Sequence, residues 1–190
     1  MLIVGNPKSI HTKRLSQFFE QDYQVNLINE DIDFSLRNSL VAIKQLKKTI
    51  TETRPDILVL YQLNLTAFFA VLANKKTKIP TFAIGIGSDI LTMPQKGLPY
   101  KAMLKYILKN SQAYNAGSPY LLEQMQRYCP KNSAILLANL GINPIQLVEK
   151  QKIVFSNRLH SPLYRIDEVI KAFANFVSKP QYADWLLVVA

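Results

Sequence analysis

The feature that most constrains the fold of this chain is a series of short apolar runs separated by segments of helical periodicity. The runs at residues 2–4 and 57–61 contain no charged residue and do not alternate between apolar and polar positions. A strand of this kind is buried on both faces, as in a parallel sheet covered by helices. Between the runs, apolar residues recur every three or four positions, as in amphipathic helices. The pattern therefore predicts an α/β fold with a parallel sheet sandwiched by helices.

The individual elements follow from the same two periodicities. Strands are predicted at residues 2–4, 25–28, 57–61, 81–84, 113–116, 135–138, 153–155 and 185–189. Helices are predicted at residues 11–21, 34–53, 65–74, 101–109, 119–128 and 166–177. The buried face of the second helix is expected to consist of Leu36, Leu40, Ile43, Leu46 and Ile50. Residues 85–99, which hold several glycines and prolines, are expected to form a loop. The strand order is not determined by this pattern.

The chain is predicted to contain two domains, at residues 1–148 and 149–190. The charged and polar residues 149–152 have the composition of a solvated linker, after which a strand, a helix and a strand follow. One β-α-β unit of about 40 residues cannot bury both faces of its strands. We therefore expect the second domain to be an incomplete start, and the chain to be a truncated form of a larger protein.

The charge of the chain predicts an anionic partner. The formal net charge is +10, and residues 75–109 hold seven lysines against the single acid Asp89, a net +6 for that window. Nucleic acid is not favoured, because its recognition motifs are missing and the aromatic residues lie in apolar runs. Cys129 is the single cysteine, so no intramolecular disulfide forms. With neither a leader pattern nor a long apolar span, the composition favours the cytoplasm.

The loop after the first strand is the first candidate site. Gly5 and Asn6 lead into a helix N-terminus, where backbone N–H groups suit a phosphate or a sugar hydroxyl. The alternative is an ordinary strand-to-helix turn that serves the backbone alone. His11 either contacts an acceptor hydroxyl or caps the helix. The loop is not a P-loop, because the glycine spacing around Lys8 is wrong.

The second candidate site is the segment around Ser88 and Asp89. It follows a strand, and ligands of such folds bind outside the carboxyl ends of the strands. The neighbouring glycines allow a ligand to approach the backbone, and the Asp89 carboxylate can orient or deprotonate a sugar hydroxyl. Asp89 is therefore the predicted catalytic residue, with Ser88 as a substrate contact. The alternative is that either residue is only a helix N-cap.

A third feature is a stripe of lysines four residues apart, Lys101, Lys105 and Lys109. On a helix this spacing places all three on one face. Such a stripe is either the solvated face of the helix or a surface that docks on anionic headgroups or a lipid-diphosphate acceptor. The second interpretation predicts peripheral association with the inner face of a membrane.

Five segments resemble a known family and occur in the expected order. They are GNPKSIHTKRL at residues 5–15, PDIL at 55–58, GSDIL at 87–91, ANLGINP at 138–144, and FSNRL at 155–159 with the apolar segment at 185–190. In these segments the chain resembles glycosyltransferase family 4, whose members have the GT-B architecture of two facing Rossmann-like domains. The resemblance implies that residues 1–148 form the acceptor-side domain and residues 149–190 begin the donor-side domain.

The resemblance also implies an activity. Members are retaining transferases, here a hexosyltransferase that moves a sugar from a nucleotide sugar to a saccharide or lipid-linked acceptor in polysaccharide or glycolipid assembly. Arg158 matches the arginine that meets the donor diphosphate, the alternative being a surface arginine. Neither a metal nor a cofactor is implied.

Two other functions stay open at this point. The family's donor signature, two glutamates separated by seven residues, does not occur in the 190 residues. We therefore expect the chain to be inactive alone. The first alternative is a nucleotide-sugar epimerase of GT-B type, which acts without an acceptor. The second is a non-enzymatic α/β module that binds a phosphorylated ligand or a partner protein.

Overall fold

The structure is a computed structural model that describes residues 1–28, 32–131, 133–139 and 149–190. It contains two compact units, Met1–Gly141 and Ile142–Ala190. The boundary predicted between residues 148 and 149 adjoins the stretch 140–148, which lies outside the described residues. It stays a prediction, as does the role of most of the segment at 138–144. Within the described ranges, no helix combines the length and the hydropathy needed to cross a membrane.

The first unit is built on a parallel sheet of six strands. They are β1 (Leu2–Val4), β2 (Asn26–Leu27), β3 (Leu58–Tyr61), β4 (Thr81–Gly85), β5 (Ala113–Ala116) and β6 (Ile135–Leu137). The strand order is β2-β1-β3-β4-β5-β6, and every neighbouring pair is parallel. Leu58 of β3 pairs with Leu2 on one side and Thr81 on the other. The predicted fold class is thus confirmed.

Helices connect the strands of the first unit. They are α1 (Ile10–Phe19), α2 (Ser39–Thr53), α3 (Leu65–Asn74), α4 (Ser88–Leu91), α5 (Leu98–Lys109) and α6 (Pro119–Gln126). The prediction of a loop at residues 85–99 is wrong, because α4, a 3-10 turn at Met93–Lys96 and the start of α5 lie there. The prolines of this segment begin helical turns, where the missing N–H costs nothing.

The sheet is packed on both faces because its strands alternate their side chains. Leu58 and Leu60 of β3 face the larger core, which contains buried residues of α2, α3, α5 and α6. Val59 and Tyr61 face a smaller core that contains Leu15 of α1. Each face therefore excludes water from a row of strand residues, which accounts for the uninterrupted apolar runs in the sequence.

The predicted buried face of α2 is partly wrong. Ala42, Leu46 and Ile50 are buried against the larger core, but Leu36 and Leu40 are 73% and 82% exposed. The helix begins only at Ser39, five residues after the predicted start, so Leu36 is not helical. A turn precedes it, in which the Asp33 carboxylate accepts a hydrogen bond from the Ser35 N–H at 2.8 Å. This bond is the main cause that lowers the pKa of Asp33.

The second unit contains the predicted β-α-β arrangement. Strands β7 (Ile153–Ser156) and β8 (Leu186–Val189) are parallel, and α7 (Ile166–Val177) connects them. Phe176 of α7 stacks on Tyr182 with the ring centroids 4.4 Å apart, and it meets Trp185 edge to face. These aromatic contacts attach the helix to the segment that leads into β8.

Candidate functional site

A cleft lies at the carboxyl edge of the sheet where the connections diverge. The chain leaves β1 toward β2 on one side and returns to β3 on the other, so β1 and β3 flank a topological switch point. Ligands of open α/β sheets bind at such points. The cleft has a volume of about 340 Å³ and is lined by Gly5, Asn6, Pro7, Lys8, Ile32, Phe34, Gln62, Asn64 and Thr66. Its size and its mixture of polar and apolar groups suit a small ligand.

One wall of the cleft is the turn between β1 and α1. The Asn6 side-chain oxygen accepts a hydrogen bond from the Lys8 N–H at 3.0 Å, and the Ser9 hydroxyl oxygen accepts one from the His11 N–H at 3.3 Å. Ser9 is thus the N-cap of α1. These bonds hold the turn in shape, while the exposed side chains of Asn6 and Lys8 border the cleft. Lys8 supplies the positive charge of this wall.

The opposite wall is the turn between β3 and α3. Gln62 has a φ of 74°, a left-handed conformation that is uncommon for a residue other than glycine. Its N–H donates to the Ile84 carbonyl at 3.1 Å, and its own carbonyl accepts from the Asn64 N–H at 3.0 Å. The Asn64 side-chain oxygen caps α3 by accepting from the Thr66 N–H at 3.0 Å. The turn is therefore hydrogen-bonded on both sides of Gln62.

Asp89 lies beneath this second wall and is only 1% exposed. Its carboxylate accepts hydrogen bonds from four backbone N–H groups, those of Leu63 at 2.8 Å, Gly87 at 2.9 Å, Ile90 at 3.1 Å and Ile86 at 3.2 Å. The charge therefore has full hydrogen-bond compensation in a buried position, as a stable buried carboxylate requires. Burial, and then the charge of Asp89, raise the pKa of the nearby Tyr61.

Only some of the predicted substrate contacts of the first unit line the cleft. Gly5 and Asn6 line the cleft together, as expected for one site. His11 in the first turn of α1 and Ser88 in the first turn of α4 are exposed but do not line it. Their contact with an acceptor stays a prediction.

The predicted catalytic role of Asp89 stays a prediction, and the geometry of its carboxylate bears on it. A base that takes a proton from a sugar hydroxyl must reach that hydroxyl, whereas this carboxylate is buried and bonded to the backbone. The geometry supports a positioning role, and no described contact supports the predicted catalytic one. The capping alternative is wrong, because Gly87 is the N-cap of α4 and both Ser88 and Asp89 lie within the helix. The Asp89 carboxylate instead also accepts from the N–H of Leu63, which lies 26 residues away in the chain.

Arg158 belongs to the second unit and is exposed. Its guanidinium carbon lies 5.6 Å from the centroid of the Tyr164 ring, a cation–π arrangement. The guanidinium thus has a defined neighbour beyond the end of β7. The predicted contact with a donor diphosphate stays a prediction.

Seven of the nine residues that line the cleft were not predicted from the sequence as site residues, among them Lys8, Gln62 and Asn64. Gln62 and Asn64 directly follow the apolar run at residues 57–61. Polar residues just after a buried strand are a usable signal, but they gain meaning only when that strand is known to flank the switch point.

The lysine stripe lies on α5 as predicted from its spacing. Lys101, Lys105 and Lys109 are exposed, while Leu104 and Leu108 of the same helix are buried. The described salt bridges of the chain do not include any of the three lysines. The stripe therefore presents its positive charge to solvent.

The six-stranded parallel sheet with a cleft at its switch point defines an α/β protein with a Rossmann-like domain, and a separate β-α-β unit follows that domain in the chain. Residues 1–116 match the family described as glycosyl transferase 4-like. This match covers more than half of the 190 residues, and the chain belongs to that family. The resemblance found in the sequence is thereby confirmed. No curated protein matches the chain.

Solved structures with similar folds include UDP-N-acetylglucosamine 2-epimerases. A putative enzyme of this name from Listeria monocytogenes aligns with a TM-score of 0.65 and 12% identity over 100% of this chain and 61% of its own. The Rickettsia bellii enzyme aligns with a TM-score of 0.57 and 12% identity over 99% and 60%. The complex of S. aureus MnaA with UDP aligns with a TM-score of 0.56 and 13% identity over 99% and 61%. The chain thus spans about 60% of the length of these structures, and the similarity shows the fold.

Proposed function

We propose that this protein contributes the acceptor-side domain of a glycosyltransferase that moves a hexose from a nucleotide sugar to a saccharide or lipid-linked acceptor. The observation that carries the proposal is the cleft at the β1–β3 switch point in a chain of the glycosyl transferase 4-like family. Retention of the anomeric configuration is inferred from the family. Cell-surface polysaccharide or glycolipid assembly, on the cytoplasmic side of a membrane, is the proposed setting.

The cleft suits the acceptor because its polar groups match sugar hydroxyls. Asn6, Gln62 and Asn64 carry amides, which both donate and accept hydrogen bonds as hydroxyls do. Lys8 supplies a positive charge for a phosphate group of a lipid-linked acceptor. Phe34 adds an apolar surface for the face of a sugar ring. The predicted acceptor contacts belong to the same proposal, with Gly5 inside the cleft and His11 and Ser88 outside it.

The donor is proposed to be a nucleotide sugar held by the second unit. Arg158 follows β7, and a guanidinium there can neutralise the departing nucleotide diphosphate. The contact with Tyr164 supports this role, because it restricts the orientation of a side chain that is otherwise exposed. The S. aureus structure contains UDP, which makes uridine nucleotides the first donors to test.

The test uses the natural gene product and follows the fate of the sugar. Radiolabelled UDP-glucose, UDP-N-acetylglucosamine and GDP-mannose are incubated with saccharide and polyprenyl-phosphate-linked acceptors. Label transferred to the acceptor supports the proposal. Conversion of the donor sugar to its epimer without any acceptor would show that the protein is an epimerase. Binding of a donor or an acceptor without any turnover would show that the protein is a non-enzymatic binding module.

The 190-residue chain is a separate arm of this experiment. We expect it to show no transfer, because its described donor-side part consists of one α-helix, two strands and two short 3-10 helices. Robust turnover by this chain would contradict that expectation.

A further inference from the structure

The conformation of Gln62 is unusual for the residue that occupies it. A φ of 74° is one that glycine adopts without steric cost, whereas a side chain is disfavoured there. If the turn served only to connect β3 with α3, glycine would suit it better. Residues held in sparsely populated conformations occur often at ligand sites. Gln62 also lines the cleft, where a bound ligand would meet it.

The turn around Gln62 is attached to the neighbouring loop by Asp89. The N–H of Leu63, the residue after Gln62, donates to Asp89 Oδ2 at 2.8 Å. The Leu63 side chain is 1% exposed and belongs to the larger core. On the other side, Asp89 is held by the N–H groups of Gly87 and Ile90. The loop after β3 is therefore fastened to the loop after β4 through one buried carboxylate.

We propose that Asp89 is a positioning residue that fixes the conformation of the Gln62–Asn64 turn, a role called the lock below. We further propose that Gln62 is a substrate-binding residue, which the fixed turn holds in the cleft. The ligand class is a sugar carrying adjacent hydroxyls, to which one amide can both donate and accept. The inference rests on the proposed acceptor function for the class of ligand. The lock itself is independent of any ligand.

The lock is tested first by amide hydrogen exchange of the 190-residue chain. The Leu63 N–H should exchange slowly in the unaltered chain, at least tenfold slower than the N–H of an exposed loop residue. Asp89→Asn should accelerate it at least tenfold, because the amide is a weaker acceptor and turns donors toward the backbone N–H groups. Asp56→Asn, at an exposed aspartate, is the matched control and should leave it unchanged. Fast exchange at Leu63 in the unaltered chain overturns the lock, even if Asp89→Asn does not fold.

The role of Gln62 is tested by separating stability from binding. Gln62→Gly removes the side chain and relieves the backbone, so we expect an equal or higher Tm and at least tenfold weaker binding. The probes are glucose 1-phosphate, galactose 1-phosphate, mannose 1-phosphate and N-acetylglucosamine 1-phosphate. Their binding is followed by the NMR signal of the Asn64 side-chain amide, which both proteins contain and which lines the cleft. Arg54→Gly is the matched control, since Arg54 also has a positive φ, 42°, and does not line the cleft. It should leave binding unchanged.

The outcomes separate the inference from the function on which it rests. If probes bind the unaltered chain and Gln62→Gly binds them equally well, the inference is overturned and the acceptor cleft stands. If none of the four probes shifts the signals of the cleft, the acceptor cleft falls together with the role of Gln62. Asp89→Asn should weaken binding as much as Gln62→Gly, and the double variant no further, because both act on one contact. Additive losses would contradict the positioning role.

Discussion

Gly5, the residue after β1, packs directly against Tyr61 at the end of β3. A Cβ atom added to Gly5 would lie 3.2 Å from the Tyr61 Cβ and 3.3 Å from the Tyr61 carbonyl oxygen. Both distances are shorter than an ordinary van der Waals contact, and the carbonyl is part of the sheet. The space beside Tyr61 therefore leaves little room for a side chain at residue 5.

The contact predicts a cost for the smallest substitution. Gly5→Ala should reduce the free energy of unfolding by about 1–3 kcal/mol, the usual range for overpacking. Urea unfolding followed by circular dichroism measures it. Lys8→Ala, at an exposed position of the same turn, should stay within about 0.5 kcal/mol of the unaltered chain. Equal stability of Gly5→Ala would mean that the atoms around residue 5 shift to make room without cost.

The thiol of Cys129 predicts a loss of stability in alkaline solution. Burial raises its pKa from the ordinary value of 9.0 to about 11. Below pH 9 the thiol is neutral in both the folded and unfolded chain. Between pH 9 and 11 it ionises in the unfolded chain but not in the folded one, so the free energy of unfolding falls across that window.

Urea unfolding at pH 8 and pH 10 checks this prediction. Cys129→Ala removes the thiol and should lose less stability between the two pH values than the unaltered chain. Burial also raises the pKa of Tyr61 and Tyr114 above 10.0, so some loss should persist in the variant. Identical losses in both proteins would show that the thiol does not contribute.

Burial of the Cys129 thiol also predicts slow chemical modification. Alkylation of Cys129 by iodoacetamide at pH 8 should be slow until urea unfolds the chain.

The lysine stripe of α5 predicts binding to anionic lipid. A basic residue near an anionic surface contributes on the order of 1 kcal/mol, screened within a Debye length of roughly 8 Å at physiological salt. Vesicles containing phosphatidylglycerol should therefore sediment with the chain at low salt, and much less at high salt. Neutral phosphatidylcholine vesicles should bind poorly.

The matched comparison uses two triple variants with the same loss of charge. Lys101, Lys105 and Lys109 changed together to glutamine should reduce sedimentation at least tenfold. Lys75, Lys76 and Lys78 are also exposed lysines of the same basic window, and their change to glutamine should have a smaller effect. Equal losses would mean that the total charge decides binding. No loss in either would make the stripe an ordinary solvated helix face.

Arg158 predicts a large effect on catalysis in the natural gene product. Arg158→Ala should reduce turnover by roughly 100-fold, the scale for losing one charge-stabilising group. Arg158→Lys should restore it only partly, because the bidentate geometry is lost. Arg165→Ala is the control, since that arginine is paired with Glu168 at 3.0 Å. Arg165→Ala should change kcat less than twofold. Unchanged kinetics for Arg158→Ala would show that Arg158 is an ordinary surface arginine without a role in catalysis.

Elements with strong local patterns were predictable from the sequence. Helix α3 runs from Leu65 to Asn74 and β5 from Ala113 to Ala116, both as predicted. Residues 64–66 contain a strong N-cap signal, and the apolar residues that follow make the helix buried on most sides. The second helix was predicted too long because Leu36 continues its apolar spacing, although that residue is exposed and lies before the helix. The spacing of apolar residues in a sequence shows which side chains are apolar, but it does not show which of them are buried in the folded chain.

The candidate site likewise contains residues whose roles were predictable from the sequence and residues whose roles were not. Gly5 and Asn6 were predictable, because a glycine-containing turn between a strand and a helix is a local feature. The role of Gln62 was not, because it depends on β3 lying next to β1 and on a contact with Asp89. Asp89 itself was correctly placed at the carboxyl end of a strand, but its burial was not predictable. Whether a carboxylate faces a ligand or the backbone is decided by side-chain packing.

The sequence by itself therefore determined the class of fold and the chain order of its strands, because both follow from the periodicity of apolar residues. The tertiary structure decided the spatial order β2-β1-β3-β4-β5-β6, and with it the position of the switch point. It also decided that the Asp89 carboxylate holds the turn after β3 instead of facing the cleft. The physical reason is the range of the interactions. Helical and strand periodicities act within a few residues, whereas strand neighbours and the Asp89–Leu63 hydrogen bond join distant parts of the chain.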